Sequence, residues 1–218
     1  MNSQTPPRKD RPAPLEVLDA AAQCFMQNGY AETSLDDVAR HMGATKGRIY
    51  HYFGSKSELL HAVRKRAMSL NFAAISAPYN SDLLPVEKFR AMAHAHALNM
   101  MKEQAYQQAL FDRLRLHVTG GASAKRDGFL QEFMADRRAF EDMFRAVIIE
   151  GQARGDFQVG SISYALHGVI TMINSTVSWY RPRAADPADA PAQIADELVN
   201  MALRALGAND TSIKGSNR

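Results

Sequence analysis

The side chains best suited to chemistry lie in one short run, Thr45-Lys46-Gly47-Arg48-Ile49-Tyr50-His51-Tyr52. Apart from Gly47 and the apolar Ile49, every residue in it carries a side-chain hydrogen-bond donor. From Gly43 to Lys56 there is no acid at all, against the cations Lys46, Arg48 and Lys56. A donor-rich, acid-free surface suits phosphate oxygens and the N7 and O6 acceptors of guanine. Gly47 has no side chain, so the backbone there can approach a groove wall closely. Other chemistries find little support. His94 and His96 stand two apart on an expected helix and face different ways, a poor metal pair. His61, His117 and His167 are scattered, with no Cys or carboxylate at ligand spacing, so no metal site is expected. The single cysteine, Cys24, excludes an intrachain disulfide and reads as a small buried hydrophobe inside an apolar helix. No Ser-His-Asp or Cys-His constellation can be argued and no glycine-rich phosphate loop follows a strand. Neither an enzyme nor a cofactor is expected.

The elements that must hold this run are legible around it. Ser34 and Asp37 form an S-x-x-D capping box, and Leu35, Val38, Ala39 and Met42 follow as one apolar stripe. Gly43 stands where a left-handed C-cap belongs. Thr45 is placed to cap a second short helix, on which Ile49 and Phe53 point inward together. Gly54 ends it, and Ser55 with Glu58 opens the next. Two short helices joined by a glycine turn form a helix-turn-helix. A first helix from about Pro14 to Asn28, with Leu15, Leu18, Ala22 and Phe25 at helical spacing and Gly29 as its stop, braces the pair.

At 218 residues and 46% hydrophobic content the chain has room for one large or two small domains with a proper core. Its net charge of +3 is uneven. Residues 1–66 carry ten Lys/Arg against seven Asp/Glu, whereas the remainder is balanced at sixteen of each. The positive excess therefore lies where a phosphate partner would need it. No apolar run is long enough for a bilayer span, and the polar, proline-rich start lacks the apolar core of a secretion signal, so a cytoplasmic chain is expected. Residues 1–13 read as a disordered arm, with Arg8, Lys9 and Arg11 able to follow a DNA backbone. A helix from Ser55 to about Ala77 carries Arg64-Lys65-Arg66, expected to face solvent or phosphate, and serves as a lever to the rest of the chain. Pro78 and the polar run after it make a connection. Helices follow over 85–102, 104–119 and 124–154, the last with Phe129, Phe133, Phe140, Phe144 and Val147 recurring at helical spacing. Two stripes close the chain: Leu166, Val169, Ile170, Ile173 and Val177, then Ile194, Leu198, Met201 and Ala205. Two apolar helices at a chain end can finish a monomer core or form half of a four-helix dimer interface. Residues 208–218 read as a tail.

The run K-G-R-I-Y-H-Y-F-G-S-K-S-E-L-L resembles the recognition helix and the start of the fourth helix of the TetR family of bacterial one-component repressors. The resemblance is strong over roughly residues 14–62 and weaker beyond. It implies an all-helical protein, with a helix-turn-helix DNA-binding domain at 14–62 and a helical ligand-binding and dimerisation domain at 63–207. It places Ser34, Thr45, Lys46, Gly47, Arg48, Tyr50, His51, Tyr52 and Lys56 at or near double-stranded operator DNA. It favours a homodimer formed through Leu166, Ile170, Ile173, Val177, Ile194, Leu198 and Met201, reading two half-sites of a palindrome. It also implies an effector pocket in the methionine-rich region, with Met92, His96, Phe111, Arg115, Met143, Met172 and Trp179 as candidate lining. The segment Trp179-Tyr180-Arg181-Pro182 resembles a W-Y-R-P helix ending in members that control fatty-acid, steroid and aromatic-acid catabolism, several of which respond to acyl-CoA thioesters. Arg113, Arg115, Arg181 and Arg183 would then serve the phosphates of such a ligand. The reading is a repressor released by a small hydrophobic effector, an acyl-CoA among the candidates. The runner-up is a helical ligand-binding or interaction protein whose DNA surface has lost its function. An enzyme comes third.

Overall fold

The computed structural model describes residues 13–111 and 124–208, with the side chains of 124–127 excepted. Ten helices occur among them and no strand: α1 (Leu15–Asn28), α2 (Leu35–His41), α3 (Lys46–Tyr50), α4 (Lys56–Tyr79), α5 (Pro85–Lys102), α6 (Gln104–Phe111), α7 (Ala124–Arg154), α8 (Ile162–Asn174), α9 (Thr176–Trp179) and α10 (Ala190–Ala205). They divide into two packing units. One holds the described residues up to Ala67 together with those between Ala105 and Phe133, and the other holds Met68–Gln104 together with the described residues from Met134 onward. The expected Arg8, Lys9 and Arg11 arm, Arg113, Arg115 and His117 lie outside the described residues.

In the first unit, α1 buries Val17, Leu18, Ala21, Phe25 and Cys24. Leu15, expected to begin this stripe, is 55% exposed, so the core starts two residues later. Burial of Cys24 pushes its thiol pKa up, and the nearby Asp37 carboxylate adds to the shift. The α2 capping box forms in full. The Ser34 Oγ accepts the Asp37 N–H at 3.1 Å, and the Ser34 N–H donates to Asp37 Oδ2 at 2.8 Å. At the other end Gly43 adopts φ +61°, and the Ala44 N–H reaches the Ala39 carbonyl at 2.9 Å while the Gly43 N–H reaches that of Arg40 at 3.0 Å. This is a Schellman closure, which requires the left-handed residue at Gly43. Ile49 and Phe53 are buried as expected, and so are Leu59, Leu60 and Val63 of α4.

Two expectations about α4 are corrected. The helix continues through Pro78 to Tyr79 rather than stopping at Ala77. Proline is disfavoured inside a helix because it removes one N–H, but near the last turn that costs a single bond. The Arg64-Lys65-Arg66 run does not present three cations to solvent or phosphate. Arg64 is only 7% exposed, donates to the Ala109 carbonyl at 3.0 Å and lies over the Phe133 ring at 5.0 Å. Lys65 pairs with Glu132 at 2.5 Å, and His61 meets the same carboxylate at 3.1 Å while stacking on Phe129. Lys65 remains exposed as expected, whereas α6 and the start of α7 cover Arg64 within the unit.

The second unit is built on α5, which packs against α8, α9 and α10. Its interior is aromatic: Phe89, Phe140, Phe144 and Phe157 are all buried, with Phe89 set edge-on to Phe144 at 5.8 Å and to Phe157 at 6.1 Å. Phe157 folds back onto α7 at Gly151, where a Cβ would lie 2.3 Å from its ring. The stripe expected to run unbroken from Leu166 to Val177 is split, because α8 ends at Asn174 and α9 begins at Thr176. The Ser175 hydroxyl donates to the Met172 carbonyl at 2.7 Å and Thr176 Oγ1 to the Ile173 carbonyl at 3.0 Å. Short hydroxyl side chains offer the backbone an alternative to the helix ladder, and here two in succession take it.

Candidate nucleic-acid interface and effector-bearing bundle

Helix α3 is five residues long and is held by its neighbours rather than by its own propensity. Ile49 anchors it from below. Thr45 stands at the N-cap as expected, but its side chain makes no capping bond, so its hydroxyl remains on the exposed surface. Lys46, Gly47, Arg48 and Tyr50 are exposed alongside it, and His51 and Tyr52 are half-buried, with their rings edge-on at 4.8 Å. Six of the nine expected DNA-contacting residues therefore lie on or beside one short helix, with Tyr52 one step beyond it. Ser34 sits apart, exposed at the start of α2.

The segment itself is free of acids, yet two carboxylates reach it from elsewhere. Lys46 pairs with Asp36 of α2, and Arg48 pairs with Glu16 of α1. The hydrogen bond that Lys46 donates to Asp36 holds its ammonium above the usual lysine value. On the flank, Asp37 pairs with Arg40 at 2.8 Å, and its carboxyl is held below the usual range chiefly by the Ser34 hydrogen bonds. All these pairs are at the surface, where each contributes little to stability. Sequence reasoning missed Glu16 and Asp36 because each lies well outside the acid-free run, Glu16 by 32 positions from its partner.

Lys56 has a different setting from the one expected. Its Nζ donates to the Tyr30 and Ala31 carbonyls, each at 2.8 Å, and lies 4.6 Å from the centre of the Tyr30 ring. It fastens the connection after α1 to the start of α4. Beside it, Ser55 Oγ accepts the Glu58 N–H at 3.2 Å, while Glu58 reaches back to the Gly54 N–H at 2.8 Å.

The effector candidates do not form one group. Met92 and His96 are deeply buried in the second unit, whereas Met143 and Met172 are half-buried and Trp179 is largely exposed. Phe111 belongs to the first unit and is exposed, and Arg115 lies outside the described residues. The W-Y-R-P segment closes α9: Trp179 Nε1 donates to Ser175 Oγ at 3.1 Å, and the Tyr180 carbonyl accepts from Gln104 and from Arg181, each at 2.6 Å. Arg181 is thus engaged at its own helix end. His96 Nε2 lies 2.9 Å from Asn174 Oδ1, and burial pushes its pKa down to about 4.

The residues expected at the dimer interface fall on two different faces. Leu166, Ile170, Ile173 and Val177 are buried within the single chain, so they form its core rather than a surface. An apolar stripe does not say which neighbour covers it, and here the cover is intramolecular. On α10 the buried residues are Ala195, Val199, Ala202 and Leu203. The stripe expected on that helix lies on the adjacent face, with Ile194 and Leu198 half-buried and Met201 47% exposed. On α8, Tyr164 is 83% exposed, and Gly168 and Thr171 lie open on the same side.

Comparison with known proteins agrees with this architecture. The family profile described as bacterial regulatory proteins, tetR family, matches residues 17–63, and that described as tetracyclin repressor-like, C-terminal domain, matches residues 82–206. The HTH-type transcriptional repressor KstR2 of Mycobacterium tuberculosis is 26% identical over 176 residues, covering 77% of this chain and 80% of its own. Among solved structures, the TetR family regulator PfmR of Thermus thermophilus superposes with a TM-score of 0.73 at 26% identity, covering 86% of this chain and 97% of that one. AibR, solved in complex with isovaleryl coenzyme A and operator DNA, shares the fold with a TM-score of 0.70 at 21% identity, covering 85% of this chain and 95% of that one. Among the described residues no helix is long and apolar enough to cross a membrane.

Proposed function

The chain belongs to the TetR family of bacterial regulatory proteins, and on that premise we propose that it is a homodimeric repressor that binds a palindromic operator and is released by a small hydrophobic effector. The observation that carries this reading is the exposed donor face of α3, held by a capped α2 and by buried Ile49. Thr45, Lys46, Gly47, Arg48, Tyr50, His51 and Tyr52 face the major groove. Arg48 reads a base after leaving Glu16, and Lys56, fastened to the Tyr30 and Ala31 carbonyls at the start of α4, lies beside a phosphate. Two copies are needed because one half-site gives too small an interface for firm binding. The open face of α8 and α10, with Tyr164, Gly168, Ile194, Leu198 and Met201, is the surface through which they pair.

The effector binds in the second unit, and acyl-CoA thioesters are the class to test first. Support comes from the W-Y-R-P segment, from adaptable methionines at 92, 143 and 172, and from the isovaleryl coenzyme A bound by AibR. Effector and operator favour different states of a two-state protein, and their coupling is reciprocal. The test is a titration of acyl-CoAs, the matching free acids and free CoA, followed by Trp179 emission and by release of labelled DNA from upstream of the protein's own gene. Saturable release by a thioester, weakened when operator is present, supports the reading. A response to free acids or unrelated apolar compounds alone removes the thioester and leaves the repressor.

A further inference from the structure

His96 is 1% exposed and sits in the interior of the second unit beside Phe140, with ring centres 4.9 Å apart, and Phe144 at 6.3 Å. Its Nε2 faces Asn174 Oδ1 at 2.9 Å. A carbonyl oxygen only accepts, so Nε2 carries the hydrogen and donates. Nδ1 is then a bare acceptor, and it has no hydrogen-bond partner among the described residues. One turn further along α5, Asn99 donates to Asn71 Oδ1 at 2.7 Å. A buried acceptor without a donor is costly, and a histidine used only for packing would be served as well by phenylalanine. The two rings beside it, Phe140 and Phe144, offer a hydrogen-bonded water no polar partner.

We propose that His96 Nδ1 is the specificity-determining group of the effector site, accepting a hydrogen bond from a neutral hydroxyl carried on the apolar body of the effector. The inference rests on the reading that the second unit takes an apolar effector. Asn174 acts as the positioning residue, because its side chain fixes which ring nitrogen is bare. The ring stays neutral over the working pH range, since burial disfavours its charged form. A bare lone pair repels a carboxylate, which has no hydrogen to give, so this atom reads hydroxyl and rejects acid. The hydroxyl belongs to the acyl body rather than to the polar arm of a thioester, because the surroundings of the ring are aromatic.

The test uses the full chain on labelled operator, with decanoyl-CoA, 3-hydroxydecanoyl-CoA, 10-hydroxydecanoyl-CoA and decanoate as probes and release of DNA as the readout. At least one hydroxylated thioester is expected to release the operator at roughly one-tenth the concentration that decanoyl-CoA requires, the worth of one buried neutral hydrogen bond. His96→Phe is expected to abolish that preference while still responding to decanoyl-CoA, and His96→Asn, which restores an acceptor near Nδ1, to recover part of it. Operator affinity without effector and a melting curve show that each variant is folded, and the wild-type preference is decisive without any variant. Equal response of the wild type to decanoyl-CoA and both hydroxylated forms overturns the assignment and leaves the thioester reading intact. A parallel loss of all responses in His96→Phe overturns it as well, since the residue would then be structural. If no thioester releases bound operator, this inference falls together with the thioester reading.

Discussion

At the residue level, DNA binding by α3 turns on which partners each polar group has before DNA arrives. The donors of α3 were legible because their types are unusual for a surface helix. Their partners were not, since Glu16 and Asp36 reach them only through the fold. Arg48→Ala is expected to weaken operator binding by roughly 1–3 kcal/mol per half-site and to change sequence preference, as read by anisotropy against single-base operator variants. Glu16→Gln frees the same guanidinium, so it is expected to tighten binding to any duplex and steepen its salt dependence by about one unit per half-site. Weaker binding in that variant would mean that Glu16 orients Arg48 rather than competing for it. Lys56 has two roles. Removing its ammonium leaves two backbone carbonyls unserved, so Lys56→Ala is expected to cost about 1–3 kcal/mol of stability in urea unfolding, besides weakening operator and random DNA alike. His96 sets a pH dependence. Unfolded, it takes up a proton near 6.5, and folded only near 4. Its contribution is therefore fully present above pH 6.5 and is lost as pH falls from 6.5 toward 4, up to about 3 kcal/mol. Urea unfolding at pH 7.5 and pH 5 is expected to show this slope in the wild type and a shallower one in His96→Phe.

At the scale of the element, local signals were read correctly where the chemistry is local. The Ser34–Asp37 box and the left-handed Gly43 depend on residues within one turn, and both form. Face and continuity were harder. The split between α8 and α9 comes from Ser175 and Thr176 taking helix carbonyls, a competition that apolar periodicity does not register. On α10 a shift of one position separates the buried Ala195-Val199-Ala202 face from the open Ile194-Leu198-Met201 face, and both are apolar enough to be read as core. Gly151 went unremarked in sequence, yet it is where the α7 backbone meets the Phe157 ring. Gly151→Ala is expected to destabilise the chain by about 1–3 kcal/mol through overpacking, and Gly151→Ala with Phe157→Leu to recover part of that loss. Thermal melts of the wild type, Gly151→Ala, Phe157→Leu and the double variant check it, and additive losses would show that the contact is not responsible.

At the scale of the whole molecule, the all-helical class and the position of the DNA-reading segment were legible from about fifty residues, because that segment's caps, turn and donors agree with one another. Assembly was not legible, since four of the seven residues assigned to the dimer are already covered by their own chain. Ile173→Asp would therefore unfold the protein and report nothing on pairing. Leu198→Asp and Met201→Asp place the charge on the open face of α10 instead. They are expected to leave the helical content and melting curve near wild type, to yield monomers in sedimentation, and to lower operator affinity by a hundredfold or more, as one half-site is lost. The α3 surface is expected to read a specific sequence as a pair. Sedimentation of the wild-type chain with a labelled duplex from upstream of its own gene, at physiological salt and against a random duplex of equal length, checks this. An even number of chains per palindrome is expected, with an affinity roughly a thousandfold or more above that for random DNA. Equal affinity for the two duplexes, or one chain bound per palindrome, would contradict it.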